Sequence, residues 1–313
     1  MPPPALCPPL TMPDLTAKPT APLNAADGGQ ISTQSRGYWA TVWLSLRRDP
    51  VSIVCASILV ALVLIAIFAP ILAPYNPAEG TMVDRLLPMG SPGHPLGTDE
   101  LGRDMLTRLM YGGRMSLLMG ILPVAIAFAI GTTLGLMAGF FGGWVNALIM
   151  RTTDVFFAFP AVLLAIAISG ALGPGLGNSM FALTLVFIPP IARIAESVTT
   201  RVRTLDFVNA ARASGAKSLT IVRVHVFNNV MGVVFIYATS LVSVCMILAA
   251  GLSFLGLGVK PPTPEWGLML NTLRQSIYVQ PWVSVLPGFM IFITSLCFNL
   301  LSDGLRGAMD LQR

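Results

Sequence analysis

The chain has 313 residues, of which 54% are hydrophobic and only 11% charged, too little charge to coat a soluble surface when ordinary soluble domains carry about 25%. Its net charge of +5 requires no nucleic-acid partner, because the placement of the basic residues follows a membrane-topology pattern. What composition leaves is an all-α polytopic membrane protein, since a bilayer span needs about 20 mainly apolar residues and uncharged stretches of that length recur along the chain.

The first 30 residues hold eight prolines and little that could be buried, so residues 1–46 are expected to form a disordered cytoplasmic tail. Tyr38, Trp39 and Trp43, followed by Arg47 and Arg48, make an interfacial lead-in. A cleaved signal peptide fits poorly, because the apolar stretch starts only at Val51. Residues 47–114 comprise the first span, Val51 to Ala73, and an outer loop with an amphipathic helix. Residues 115–304 form a core of five further spans. The second ends at a turn on Gly142 and Gly143. The third and fourth share the uncharged stretch Val155 to Ala192, divided by Gly173, Pro174, Gly175, Gly177 and Asn178. The fifth and sixth occupy Val226 to Val259 and Val283 to Leu301, and residues 305–313 are a short cytoplasmic terminus.

Placing both termini inside puts Lys18, Arg36, Arg47, Arg48, Arg151, Arg193, Arg201, Arg203, Arg212, Lys217, Arg223, Arg306 and Arg313 in cytoplasmic segments, as basic residues prefer. Cys55, Cys245 and Cys297 fall within spans and Cys7 in the tail, a pattern without a disulfide framework. Catalysis fails on motifs. The two histidines, His94 and His225, form no His-Glu-x-x-His pair, and a metal site is not expected. No G-x-S-x-G elbow occurs. In Gly215-Ala216-Lys217-Ser218 an alanine replaces the glycine that a phosphate-binding loop needs before its lysine, so the chain does not itself hydrolyse ATP.

Three polar segments remain. In HPLGTDELGRD, His94 to Asp104, Thr98 is positioned to cap a short helix with Asp99 and Glu100 in its first turn and Leu101, Met105 and Leu109 on one face, ended by Gly112 and Gly113. Between spans four and five, Asp206 caps a helix ending at Gly215, and Ser218 caps a second running toward Val226. This bent, basic loop, residues 201–229, has small side chains that another protein could approach closely, although any cytoplasmic loop is expected to be basic. In the third, Gly251 to Gly267, prolines 261, 262 and 264 end the fifth span and Trp266 suits the interface. Within span four, Pro189 and Pro190 are a candidate kink, and Arg193 and Glu196 an ion pair near its inner end.

These segments in this order, HPLGTDELGRD, then A-A-R-A-x-G-A at 210 to 216, then LSFLGLG with PPTPEWG, resemble the dipeptide and oligopeptide branch of binding-protein-dependent ABC importers, in particular its C-type permease subunit. The resemblance covers roughly Pro50 to Asp310. It implies a six-helix type I importer permease of the bacterial inner membrane, forming half of a pore for dipeptides or oligopeptides. The implied partners are a second permease subunit in a heterodimer, two cytoplasmic ATPases that bind ATP and Mg, a periplasmic or lipid-anchored solute-binding protein, and membrane lipid. No cofactor is expected on this chain. Carried over by motif, Phe207, Asn209, Ala210, Ala211, Arg212, Gly215 and Ala216 meet the ATPase; Thr98, Asp99, Gly102, Arg103 and Asp104 form the binding-protein face; Gly256, Gly258, Pro262, Glu265 and Trp266 form an outer gate. The chain has Asn209 where the family usually has glutamate and Asn228 where it usually has proline. Nickel, glutathione or an opine would fit the same architecture as cargo. A secondary transporter is a distant alternative, since the span centres lack ionisable residues.

Overall fold

A computed structural model describes Leu46, Arg47 and residues 49–310. The tail with Cys7, the lead-in Tyr38, Trp39 and Trp43, and Arg48 lie outside the described residues. Among those described there is no strand, only two isolated bridges, Ser91 to His94 and Thr98 to Asp104. Five helices are long and apolar enough to cross a membrane, and a bent helix pair makes a sixth span if it is taken as one.

Helix α1, Pro50–Leu72, starts where Asp49 accepts from the backbone N–H groups of Val51 and Ser52, satisfying donors that the first turn leaves open. Hydrogen bonding from the Ser52 hydroxyl holds the Asp49 carboxyl below its usual value. Ser52, Cys55, Leu59 and Ala66 are buried, one stripe at helical spacing. Apolar side chains such as Val54, Val60, Ile67 and Ile71 are exposed, as a hydrocarbon solvent allows.

Helix α2, Met105–Phe141, differs from expectation at its start. Asp104, not Thr98, is the cap, its carboxylate accepting from Thr107 N at 2.8 Å. Gly112 and Gly113 do not stop the helix: they make room for the Trp266 indole, at 3.0 and 3.1 Å from where their Cβ atoms would lie. The amphipathic pattern read as a separate surface helix is the first turns of this long one, which at 37 residues runs about 55 Å. The turn at Gly142 and Gly143 stands as expected, both with positive φ (66° and 51°).

The third span is not one helix. Gly143–Phe157 (α3) and Ala161–Leu172 (α4) meet at 87°. Pro160 sits in the cap position of the second piece and disfavours helical backbone at Phe159, and α3 carries the charged Arg151 and Asp154. The fourth span, α5, is Leu176–Val202 and carries Pro189 and Pro190 inside it. Gly177 and Asn178, assigned to the dividing loop, instead lie in its first turn. Then come α6, Asp206–Ala213; α7, Ser218–Ile221; a π-helical turn, Val222–Val226; α8, Phe227–Phe254; α9, Trp266–Thr272; and α10, Pro281–Asp310.

Small residues set the packing. Gly131, Gly135 and Gly139, four apart on α2, let α5 approach so closely that a Cβ on Gly131 would lie 3.0 Å from Ile191 Cβ and one on Gly139 2.6 Å from Thr199 Cβ, the close approach that membrane helices exploit. Helix α8 lies against α2, where Met246 fills the space left by Gly120, and against α10, where Ser302 donates to Ile236 O at 2.9 Å. Helix α1 closes on α10 through Cys55, Leu59 and Cys297. The alternation gives two ends: a basic end with Asp49, Arg203, α6 and the start of α8, and an opposite end with residues 73–104 and 255–280.

Candidate functional site

At the basic end, α6 begins at Asp206 with Leu205 in the cap position and no side-chain cap; Asp206 is helical rather than capping. Val208 is fully buried and pins the helix to the core, with Ala211 and Ala216 packed beside it. Gly215 takes φ +78°, the left-handed stop its position predicted. Ser218 is likewise the first helical residue and not a cap. The second helix does not end near Val226 but passes through the π turn into α8, making one element, Ser218–Phe254, with the fifth span. The predicted contact residues Phe207, Asn209, Ala210, Arg212 and Gly215 are exposed, and Ala211 and Ala216 half-buried. The loop thus runs without a break into the fifth span. Asn228 and Asn229 donate to Val224 O and His225 O, at 3.3 and 2.6 Å, carbonyls of the π turn.

Behind the loop lie contacts between residues far apart in sequence. Arg203 Nη1 donates to Phe140 O at 3.1 Å, and the Arg212 guanidinium carbon is 5.6 Å from the Phe140 ring centroid. The rings of Phe207 and His225 are 6.2 Å apart. The expected Arg193 and Glu196 pair is absent. Arg193 pairs with Asp154 and lies over the Phe157 ring at 4.3 Å, while Glu196 accepts from Asn146 Nδ2 at 2.7 Å and Thr200 Oγ1 at 3.1 Å. Helix α3 supplies both competing partners, Asn146 and Asp154.

At the opposite end, the segment read as a partner-facing surface is an internal ionic knot. Thr98, Asp99, Gly102, Arg103 and Asp104 are all buried. Asp99 accepts from Leu101 N, Arg103 N and Arg103 Nε at 2.7 to 2.9 Å and lies 3.3 Å from Arg108 Nε. Arg108 also donates to Pro77 O at 2.8 Å. The Thr98 hydroxyl bridges Asp84 O and Leu87 N, which is why it caps no helix. His94 Nδ1 is 2.9 Å from Asp104 Oδ1. These pairs tie residues 98–108 together from within, with Arg108 Nε and Glu100 Oε2 the buried charged atoms left without a hydrogen bond, while the neighbours Met82, Val83 and Leu101 are exposed.

The third segment is also turned inward. Trp266 is 1% exposed, not interfacial, and its indole donates to Leu109 O at 3.0 Å. Glu265 caps α9 by accepting from Gly267 N and Leu268 N, and takes a third hydrogen bond from Ser116 of α2 at 2.9 Å. Gly256 has φ +81°, and a Cβ on Gly258 would lie 2.8 Å from Ser253 Cα. Between α8 and α10 a groove of about 580 Å³ is open, lined by Ser243, Ile247, Gly251, Phe254, Phe292 and Asn299 among others. Among the described residues no three His, Cys, Asp or Glu side chains gather as metal ligands.

Comparison with known proteins decides what this arrangement serves. Residues 131–311 match the model of the binding-protein-dependent transport system inner membrane component family. The chain belongs to that family. Residues 37–88 match the N-terminal transmembrane domain of oligopeptide transport permease C. Over 275 residues the chain is 40% identical to a glutathione transport system permease protein of Pectobacterium atrosepticum, covering 88% of this chain and 91% of that one. It is 41% identical over 272 residues to a dipeptide transport system permease protein of Alkalihalophilus pseudofirmus, covering 87% and 89%. The fold is shared with the methionine ABC transporter MetNI in an inward-facing conformation, with a TM-score of 0.54 at 21% identity over 65% of this chain and 97% of that one. The chain is thus a multi-pass membrane permease, the membrane subunit of an ABC importer that works with an ATPase and a binding protein. Sequence reasoning named the loop but missed Phe140, Arg203, Val208 and Ser116, whose partners lie across the fold; the pair Phe140-Phe141 before a double glycine was the only local signal.

Proposed function

We propose that this permease forms half of a pore for dipeptides or short oligopeptides, paired with a second, different permease subunit and driven by two ATPases that carry the ATP and Mg. The basic end is then cytoplasmic, with both termini on that side, and the residues 206–216 seat against an ATPase. The observation that carries the reading is the exposed, small-residue α6 ending in left-handed Gly215, continuous through Ser218–Phe254 with a full span. ATPase closure would push α6, tilt α8, and alter the groove between α8 and α10, which on this reading faces the second permease. Gly256, Gly258 and Pro262 form the outer turn above it, held to α2 by Glu265 and Trp266, and act as the outer gate. The Thr98 to Asp104 knot supports the surface on which the solute-binding protein lands. A second cargo, glutathione, is favoured by the relatives named for its transport.

The test is reconstitution of the full assembly in proteoliposomes with loaded and empty binding protein, using glutathione and radiolabelled dialanine as solutes. ATP-dependent uptake is expected only with all subunits present; uptake by this chain alone, without ATP, would exclude the reading. Gly215→Pro forces φ to about −65° where the bend needs a positive angle. It is expected to leave membrane insertion intact and to separate hydrolysis from uptake.

A further inference from the structure

The coupling loop is braced from behind by one aromatic residue of another helix. Phe140 is the penultimate residue of α2 and is buried. Its carbonyl belongs to the last turn, where the helix supplies no partner, and Arg203 Nη1 donates to it. The same guanidinium lies 2.8 Å from where a Cβ on Gly142 would be, so the turn's glycine is what lets Arg203 in. The ring of Phe140 meets the cation of Arg212 at 5.6 Å. Arg203 precedes α6 and Arg212 sits in its last turn, so the loop holds Phe140 from both of its ends. Next to Phe140, Gly139 packs on Thr199 and Glu196 of α5, and Asn146 donates to Glu196 at 2.7 Å. A helix cap alone would need only Arg203 on the carbonyl; the ring contact with the exposed Arg212 adds nothing to capping, but it does tie α6 to α2.

We propose that Phe140 is a positioning residue that carries displacement of α6 into α2 and, through Gly139 and Glu196, into α5, separately from the direct lever into α8. This rests on the reading of α6 as the ATPase contact. The experiment measures solute taken up per ATP hydrolysed in the reconstituted complete assembly, again with glutathione and radiolabelled dialanine. Phe140→Leu keeps an apolar side chain and removes the ring; Arg212→Gln removes the cation. Each is expected to lower the ratio about two- to fivefold, the range expected from losing one partly exposed cation–ring contact. The double variant should be no worse than the lower single, and Arg212→Lys, which retains a cation, should recover most of the loss. Independent multiplication of the two losses, or a proportional fall in uptake and hydrolysis at unchanged ratio, overturns the proposal. Should Phe140→Leu fail to assemble, Phe140→Met takes its place beside Arg212→Gln, and multiplication of the two losses in the double variant again overturns the proposal. Gly215→Pro separates the two levels. If it leaves coupling intact, the reading of α6 falls; if it uncouples while the Phe140 and Arg212 variants do not, only the transmission through Phe140 falls.

Discussion

Asp99 shows how a single residue organises the opposite end of the molecule. Its two oxygens serve two backbone N–H groups and the guanidinium of Arg103, with Arg108 at 3.3 Å, and all three side chains are buried. Removing one member of such a group leaves the others charged and without compensation, a loss of about 3–5 kcal/mol. Asp99→Ala is therefore expected to lower the thermal unfolding midpoint of the chain in lipid nanodiscs markedly, followed by tryptophan fluorescence. A shift no larger than that of an exposed loop substitution such as Glu79→Ala would show the knot to be dispensable. The same residue explains a misreading. In the string T-D-E-L, threonine followed by two acids is a sound helix-start pattern, but the Thr98 hydroxyl is taken by Asp84 O and Leu87 N and the Asp99 carboxylate by arginines four and nine positions on, so neither is left for a helix start.

Glycine placement decides packing at the scale of elements, and it yields paired predictions. A methyl on Gly135 would collide with Ala192 O of α5 and come within 2.8 Å of Glu196 N, so Gly135→Ala must push two spans apart, an overpacking loss of about 1–3 kcal/mol. Gly170, in the last turn of α4, has nothing within 4 Å of such a methyl; Gly170→Ala should be neutral or stabilising by up to about 1 kcal/mol. Thermal unfolding of both variants in nanodiscs checks the contrast, and equal shifts would refute the packing. What could be read from sequence divides along similar lines. Gly142, Gly143 and Gly215 were legible because a positive φ is a property of one residue and its neighbours. The spans were legible because hydrocarbon imposes length and composition locally. The 87° break before Ala161, the inward turn of Trp266 and the Arg193 to Asp154 pair were not. Indoles suit an interface and a core equally, and Asp154 lies 39 positions from Arg193, so only the assembled fold selects the partner.

For the whole molecule the open quantity is direction: every proposal about coupling requires the basic end to face the ATPase. Charge gives the expectation, since Arg201, Arg203, Arg212, Lys217 and Arg223 all sit at that end and basic residues are retained on the cytoplasmic side. Cysteine labelling can test it cleanly, because the three described cysteines, Cys55, Cys245 and Cys297, are buried and free and should react slowly. Leu219, 79% exposed at the basic end, and Tyr278, 91% exposed at the opposite one, are reporter sites outside the packed core, so Leu219→Cys and Tyr278→Cys should perturb neither packing nor insertion. In intact cells a membrane-impermeant maleimide is expected to label Tyr278→Cys and spare Leu219→Cys, with Leu219→Cys becoming reactive once the membrane is opened. Both reporters are read on a Cys7→Ser background, so that only the introduced thiol reports once the membrane is opened. Labelling of Leu219→Cys from outside in intact cells would invert the molecule and remove α6 from reach of any cytoplasmic ATPase, and with it the reading of residues 206–216 as the seat of the motor.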